Sequence, residues 1–341
     1  MKRMYLRLKT FVASSLETLG LLRLAERAAG HPVIFMFHRV LPEEETASFY
    51  NPYLAITPRS FEDFLAFLSR HFHVQPLAEL VADLHAPKPK SPRRCALTFD
   101  DGWEDNHRIA WPILRKFGMP ATVFVTTGLT GSSELLPEDR LWRYWQHART
   151  KGSLPAFDGI LRTYHSAQPA DRESSFSYRA VLKRLPGHKR LKLFADLASQ
   201  LGELAPQNPS SFMTWDQLKD MSGSGITLGS HTVTHPSLAY EEDSVIREEL
   251  CASKRALEQH IGKNVDTLAY PTGIFDERVT REAAAASYTI GVTTESRAVV
   301  PSANLLLLPR IAVDNAVVND AHGRFSAART RLHILRADGR S

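Results

Sequence analysis

The sequence predicts an α/β barrel, and three observations predict it. Short β-like apolar runs alternate with longer stretches whose apolar residues recur every three or four positions, the pattern of parallel strands joined by helical crossovers. The last of these runs, Leu306–Val313, is of the kind expected of a strand buried on both faces. The residues able to do chemistry fall where such runs end, which is the mouth of a barrel. With 341 residues, 43% of them hydrophobic, the chain can bury one barrel-sized core or split into two ordinary domains.

The first segment, residues 1–30, begins with Lys2, Arg3, Arg7 and Lys9 and continues into an apolar stretch from Phe11 to Leu24, broken by Glu17. It holds no uninterrupted apolar run of about 18 residues to cross a bilayer, and no small-residue cleavage site follows it. The expected location is therefore the cytoplasm. Leu16, Leu19, Leu21, Leu22 and Leu24 alternate with Arg23 and Arg27. That mixture fits either a helix packed on the barrel or an amphipathic helix lying on the inner, anionic face of a membrane. The net charge of +5, from 42 basic and 37 acidic residues spread along the chain, does not make a nucleic-acid binder. Two cysteines, Cys95 and Cys251, would stabilise a domain this large little as a disulfide, so reduced thiols are expected.

From Pro32 the expected strands are Val33–His38, Ala96–Phe99, Ala121–Thr126, Ile226–Ser230, Thr267–Tyr270, Thr289–Thr293 and Leu306–Val313. Between them, Phe61–Phe72, Asn106–Phe117, Ser244–Ile261 and Glu277–Ser287 carry the spacing of helices that cover a sheet. The stretch 131–211 is far longer than a strand-to-strand connection requires and reads as an inserted helical subdomain. Helical pieces are expected there over Leu141–Thr150, Tyr178–Leu185 and Leu191–Leu201. Its aromatics, Trp142, Tyr144, Trp145 and Tyr164, suit a small core of its own or a stack against sugar rings. Residues 316–341 carry Arg324, Arg329, Arg331, Arg336 and Arg340 and form either an exposed basic tail or a final packed helix.

Two segments carry the chemistry. Ala96-Leu97-Thr98-Phe99-Asp100-Asp101-Gly102 sets adjacent carboxylates at the C-terminal end of a buried strand. Neighbouring side chains diverge there, so one acid can coordinate a metal while the other takes a proton from water. Ile226-Thr227-Leu228-Gly229-Ser230-His231-Thr232-Val233-Thr234-His235 ends another strand with histidines four apart, which on a helical turn would face the same way. Two imidazoles and one carboxylate suit zinc or a similar divalent ion and leave a position open. Taken singly, Asp100-Asp101 is a helix-capping turn and the histidine pair is weak. Together with a third strand end at Tyr270-Pro271-Thr272-Gly273 they form a constellation.

These segments resemble the NodB-type polysaccharide deacetylases, carbohydrate esterase family 4, over roughly Pro32 to Asn315 apart from the insertion. The resemblance implies a distorted (β/α) barrel over residues 31–315 and hydrolysis of an N-acetyl group on an amino sugar. It assigns Asp100 as general base, Asp101, His231 and His235 as metal ligands, Thr232 as a brace for the histidine loop, and the Thr272 backbone N–H as oxyanion donor. The expected cofactor is a divalent metal, zinc first. The expected substrate is an N-acetylated glycan or lipid-linked amino sugar of surface polysaccharide metabolism.

The chain departs from the family pattern twice. Ala269 stands where the third motif often has an arginine that orients the base; Arg310, in Leu308-Pro309-Arg310-Ile311, is positioned to replace it. The C-terminal leucine–histidine–aspartate motif that usually supplies the general acid is absent, and Leu332-His333 matches it poorly. His38, at the end of the first strand and next to the last in a closed barrel, is the candidate donor. Two other readings stay open: hydrolysis of another linear or cyclic amide C–N bond, and an inactive glycan-binding homologue.

Overall fold

The computed structural model describes residues 2–28, 30–49, 51–85, 92–164, 175–204 and 212–339; Met1, Arg340 and the stretches 165–174 and 205–211 of the expected insertion lie outside them. The strands are β1 (Val33–Phe37), β2 (Arg39–Val40), β3 (Ala55–Ile56), β4 (Phe72–Val74), β5 (Arg93–Phe99), β6 (Ala121–Val125), β7 (Ile226–Ser230), β8 (Thr267–Ala269), β9 (Ile290–Val292) and β10 (Ile311–Ala312). One parallel sheet runs β10-β1-β5-β6-β7-β8-β9, with β4 paired to the start of β5. β2 and β3 form a separate parallel pair.

The sheet curls until its two edges share one segment. Leu308 bridges Val292 of β9, and its carbonyl accepts from Thr293 N–H at 2.8 Å. A few residues on, Ile311 pairs with Phe35 of β1 and Val313 N–H donates to Met36 O at 2.9 Å. The result is a distorted α/β barrel. The expected single strand Leu306–Val313 is corrected here: only Ile311–Ala312 is a strand. Pro309 has no N–H for a ladder, and the segment has to pass from one edge to the other at that point.

Strand alternation decides which residues face inward. Phe35, Phe37, Leu97, Phe99, Val123 and Val125 pack outward with Phe61, Phe64 and Leu68 of the helix Pro58–His71. Ile34, Ala96, Phe124, Ala269, Val292 and Leu308, drawn from strands all round the ring, meet in one inner cluster. Asp100 continues the parity of Ala96 and Thr98, and His38 that of Ile34 and Met36. The register Met36↔Thr98 and Phe37↔Phe99 then sets these two polar residues side by side above the inner cluster.

The covering helices include Asp243–Ile261 and Glu277–Ala285, the latter capped by Asp276 accepting from Val279 N–H. The expected helix over Asn106–Phe117 opens with a π-helical turn, Asn106–Ala110, just ahead of Pro112, which lacks an amide N–H for the regular ladder.

Between β6 and β7 four helices, Pro137–Thr150, Leu154–Tyr164, Ser175–Leu182 and Gly187–Leu201, enclose a core of their own. Tyr144 and Trp145 lie buried in that core, with the partly buried Trp142 and Tyr164 packed against it, so the first two serve the core and not a stack against sugar rings. The C-terminal segment is a packed helix, Ala327–Asp338, in which Arg329 and Arg331 are buried, rather than a free basic tail. The helices Lys2–Thr18 and Leu21–Ala28 dock on it through Ala13 and Leu22 against Ala328. Cys95 and Cys251 are both free thiols.

Candidate active site

All the candidate residues but one follow the C-terminal end of a parallel strand: His38 after β1, Asp100 and Asp101 after β5, His231 and His235 after β7, and Thr272 after β8; Arg310 instead precedes β10 and reaches the end of β9, where its Nε donates to Thr293 O. The adjacent carboxylates diverge. Asp100 turns to Arg310, whose Nη1 donates to Oδ1 at 2.6 Å and Nη2 to Oδ2 at 2.7 Å. The guanidinium is completely buried, and two further donors go to Thr98 Oγ1 at 3.1 Å and Thr293 O at 2.9 Å. His38 Nε2 lies 3.9 Å from Asp100 Oδ2.

Asp101 turns the other way because its backbone is left-handed (φ 76°), as is that of Gly102 after it (φ 83°). Its Oδ1 lies 3.4 Å from His231 Nε2 and 3.5 Å from His235 Nε2, while Oδ2 accepts from Trp103 Nε1 at 2.9 Å. The three residues offer ligand atoms within 4.8 Å of one another, all from buried side chains. Ligands about 2.0–2.1 Å from a tetrahedral zinc ion stand roughly 3.3 Å apart, so this spacing fits such an ion. The tautomers fit as well: His231 Nδ1 faces Ala269 O at 2.8 Å, which holds the ring proton there and frees Nε2 as a ligand.

The histidine loop is not the helical turn the spacing suggested. Thr232 (φ 66°) and His235 (φ 56°) are left-handed, and two such bends bring the imidazoles together at a centroid distance of 4.9 Å. Such conformations cost of order 1–3 kcal/mol each and persist only where surrounding contacts enforce them. Those contacts are present. Thr232 Oγ1 accepts from His235 N–H at 3.1 Å, and Glu249 of the helix Asp243–Ile261 accepts from Val233 N–H (2.7 Å), Thr234 N–H (3.0 Å) and Thr234 Oγ1 (2.6 Å). Thr272 is the fourth non-glycine residue at this mouth with a left-handed backbone (φ 60°), and its hydroxyl meets Ser237 Oγ at 3.0 Å.

Burial and charge compete over these groups. Burial works to raise the pKa of Asp100, but Arg310, aided by His231 and His38, outweighs it and holds the carboxyl below its usual range. Asp101 also resists burial, its neighbours His231, His38 and His235 holding it well below that range. Burial lowers His38 below an ordinary histidine, against the pull of Asp101 and Asp100. Burial would lower His231 too, yet the adjoining Asp101 carboxylate holds it above the ordinary value.

A family model described as polysaccharide deacetylase matches residues 87–291, more than half of the chain. This chain belongs to the polysaccharide deacetylase family. Membership makes it a carbohydrate N-deacetylase, a hydrolase, acting on an N-acetylated glycan. The Bacillus subtilis (strain 168) protein YxkH, a polysaccharide deacetylase by name, is 23% identical over 274 residues, 80% of this chain and 70% of its own length. Among solved structures, the Streptococcus pyogenes deacetylase PplD in complex with acetate superposes with a TM-score of 0.55 at 22% identity, covering 86% of this chain and 95% of its own. IcaB from Ammonifex degensii gives 0.53 at 18% identity, over 83% of this chain and 92% of its own. Both likenesses concern the fold.

The deacetylase site also contains residues that sequence reasoning missed. Arg39 donates from Nε to Asp105 Oδ2 at 2.6 Å, and its guanidinium lies 4.0 Å from the Trp103 ring centroid, so Asp105, Arg39 and Trp103 form a line ending on the Asp101 carboxylate. Trp103 stacks on Phe212 at 4.2 Å. Glu249 is the other omission; a glutamate on the buried face of a sheet-covering helix was the available signal. His333 hydrogen-bonds to Ala312 O at 3.1 Å.

Proposed function

We propose that the deacetylase hydrolyses the N-acetyl group of an N-acetylhexosamine unit, with Asp101, His231 and His235 holding a zinc ion and Asp100 as general base. The observation that carries this reading is the divergence of the two neighbouring carboxylates, one onto the histidine pair and the other onto a buried arginine. Zinc held there supplies Lewis acidity toward the acetyl carbonyl and a lowered pKa for water. Asp100, kept ionised and aimed by both guanidinium donors, removes the proton from the attacking water. The Thr272 N–H stabilises the carbonyl oxygen as negative charge develops, an effect worth a few kcal/mol for a well-placed donor. His38, whose Nε2 lies 3.9 Å from Asp100 Oδ2, receives the proton that Asp100 has taken from water and passes it to the departing amine.

Substrate and place are part of the same proposal. The substrate is an N-acetylated sugar of a surface glycan or its lipid-linked precursor, met in the cytoplasm at the inner membrane face. Support for membrane contact comes from the N-terminal helices, where Phe11 (71% exposed), Leu19 (72%) and Leu24 (66%) face outward beside a basic stretch of sequence. No helix among the described residues is long and apolar enough to cross a membrane.

The test is acetate release from N-acetylglucosamine oligomers and from lipid-linked N-acetylated amino sugars, before and after chelation and zinc repletion. Release that is lost with chelator and restored by zinc is expected; its absence with every substrate overturns the proposal.

A further inference from the structure

The two histidines of the site are supported differently. With Nε2 of each ring turned toward Asp101, the ring proton belongs on Nδ1. For His231 that N–H meets Ala269 O of the barrel at 2.8 Å. For His235 it meets no hydrogen-bond partner among the described residues, and Nδ1 is buried. The carboxylate facing it is Glu138 of the insertion, whose Oε2 lies 3.8 Å away and is likewise buried without a hydrogen-bond partner among the described residues. Two buried polar atoms of complementary character, each lacking what the other offers, are a costly arrangement that a shift of roughly 1 Å would cure.

We infer that Glu138 is a positioning residue for the metal ligand His235, and that the insertion thereby forms part of the metal site. The inference rests on His235 being a metal ligand. Binding an ion at Nε2 fixes the ring proton on Nδ1 and makes it a stronger donor, and Glu138 Oε2 then closes onto it as acceptor. The insertion is already attached to this turn from a second helix. Arg190, in Gly187–Leu201, donates from Nη1 to His235 O at 3.2 Å, while Gly187 N–H donates to Glu241 Oε1 at 2.8 Å. Ion binding and ordering of the helix Pro137–Thr150 against the barrel are therefore linked, each favouring the other.

The test uses Glu138→Ala, Glu138→Gln and His235→Ala in the full chain with zinc alone. Zinc affinity is measured by competition with a chromogenic chelator, and amide hydrogen exchange of Pro137–Thr150 is followed with and without zinc. E138A is expected to weaken zinc about 10–100-fold, with E138Q between it and the wild type because its amide oxygen accepts without charge. Zinc should slow exchange across this helix in the wild type and not in E138A. The zinc-free melting temperature should stay level or rise in both variants, since a buried carboxylate oxygen without a hydrogen-bond partner among the described residues is removed; a merely structural role would lower it. If E138A fails to fold, E138Q carries the test. E138A binding zinc within threefold of wild type, with unchanged exchange, overturns the inference; so does E138Q indistinguishable from wild type in both readouts where E138A does not fold. H235A binding zinc like the wild type overturns the ligand reading itself, so the two failures are distinguishable.

Discussion

Arg310 and Asp100, 210 residues apart in sequence, face each other as a bidentate ion pair with both side chains buried. The pair fixes the position and the charge of the carboxylate proposed as the base together. Replacing Arg310 by Met leaves a buried carboxylate unpaired, and a loss of about 3–5 kcal/mol in stability is expected by chemical denaturation. Asp100 is then left to burial, which raises its pKa, so the acid limb of the kcat/KM profile moves to higher pH. The sign for stability follows the same logic. A carboxyl depressed below its unfolded value stabilises the fold above the unfolded pKa and ceases to do so as pH falls through the folded one. An unmoved acid limb in R310M would remove Arg310 from the mechanism.

His38→Ala should lower kcat about 10²–10⁴-fold while zinc content by elemental analysis stays at the wild-type level, since the side chain faces Asp100 and is no member of the ligand cluster. Asp100→Asn should abolish turnover. Near-normal rates in H38A beside a dead D100N would place the proton donor elsewhere.

Glu249→Ala takes the acceptor from two backbone N–H groups and one hydroxyl of the histidine loop. A loss of about 2–3 kcal/mol is expected, with weaker zinc binding, because the left-handed Thr232 and His235 lose an enforcing contact. Denaturation curves and chelator competition read the two effects separately. Glu249→Gln, which keeps one acceptor, should fall between.

Placing Glu at Phe11, Leu19 and Leu24 together should abolish flotation with anionic vesicles, each apolar side chain contributing roughly 1.5–3 kcal/mol when buried. Acetate release from soluble oligomers should not change. A wild-type protein that fails to float removes the membrane from the proposal.

Strand and helix order was legible because apolar periodicity records burial directly: β7 lies where the alternation of Ile226–Ser230 put it. The Arg310–Asp100 contact was legible because barrel topology makes the last segment a neighbour of the first. The histidine loop was not, since four-residue spacing suggests a helical turn, whereas the geometry depends on positive φ at Thr232 and His235 held by Glu249, fourteen and more residues away. Glu138 was hidden for a related reason. The aromatics around it dominate the composition of that stretch, and its partner His235 becomes a neighbour only when the insertion folds back on the barrel.

The segment Leu308–Val313 joins the two edges of the sheet and also carries the arginine that pairs with Asp100. A clipped chain ending before Arg310 would keep Asp101, His231 and His235 and still lack the partner of Asp100. Completion of the barrel and restraint of the Asp100 carboxylate are thus one event: the residues that close the ring are the residues that hold the acid in place.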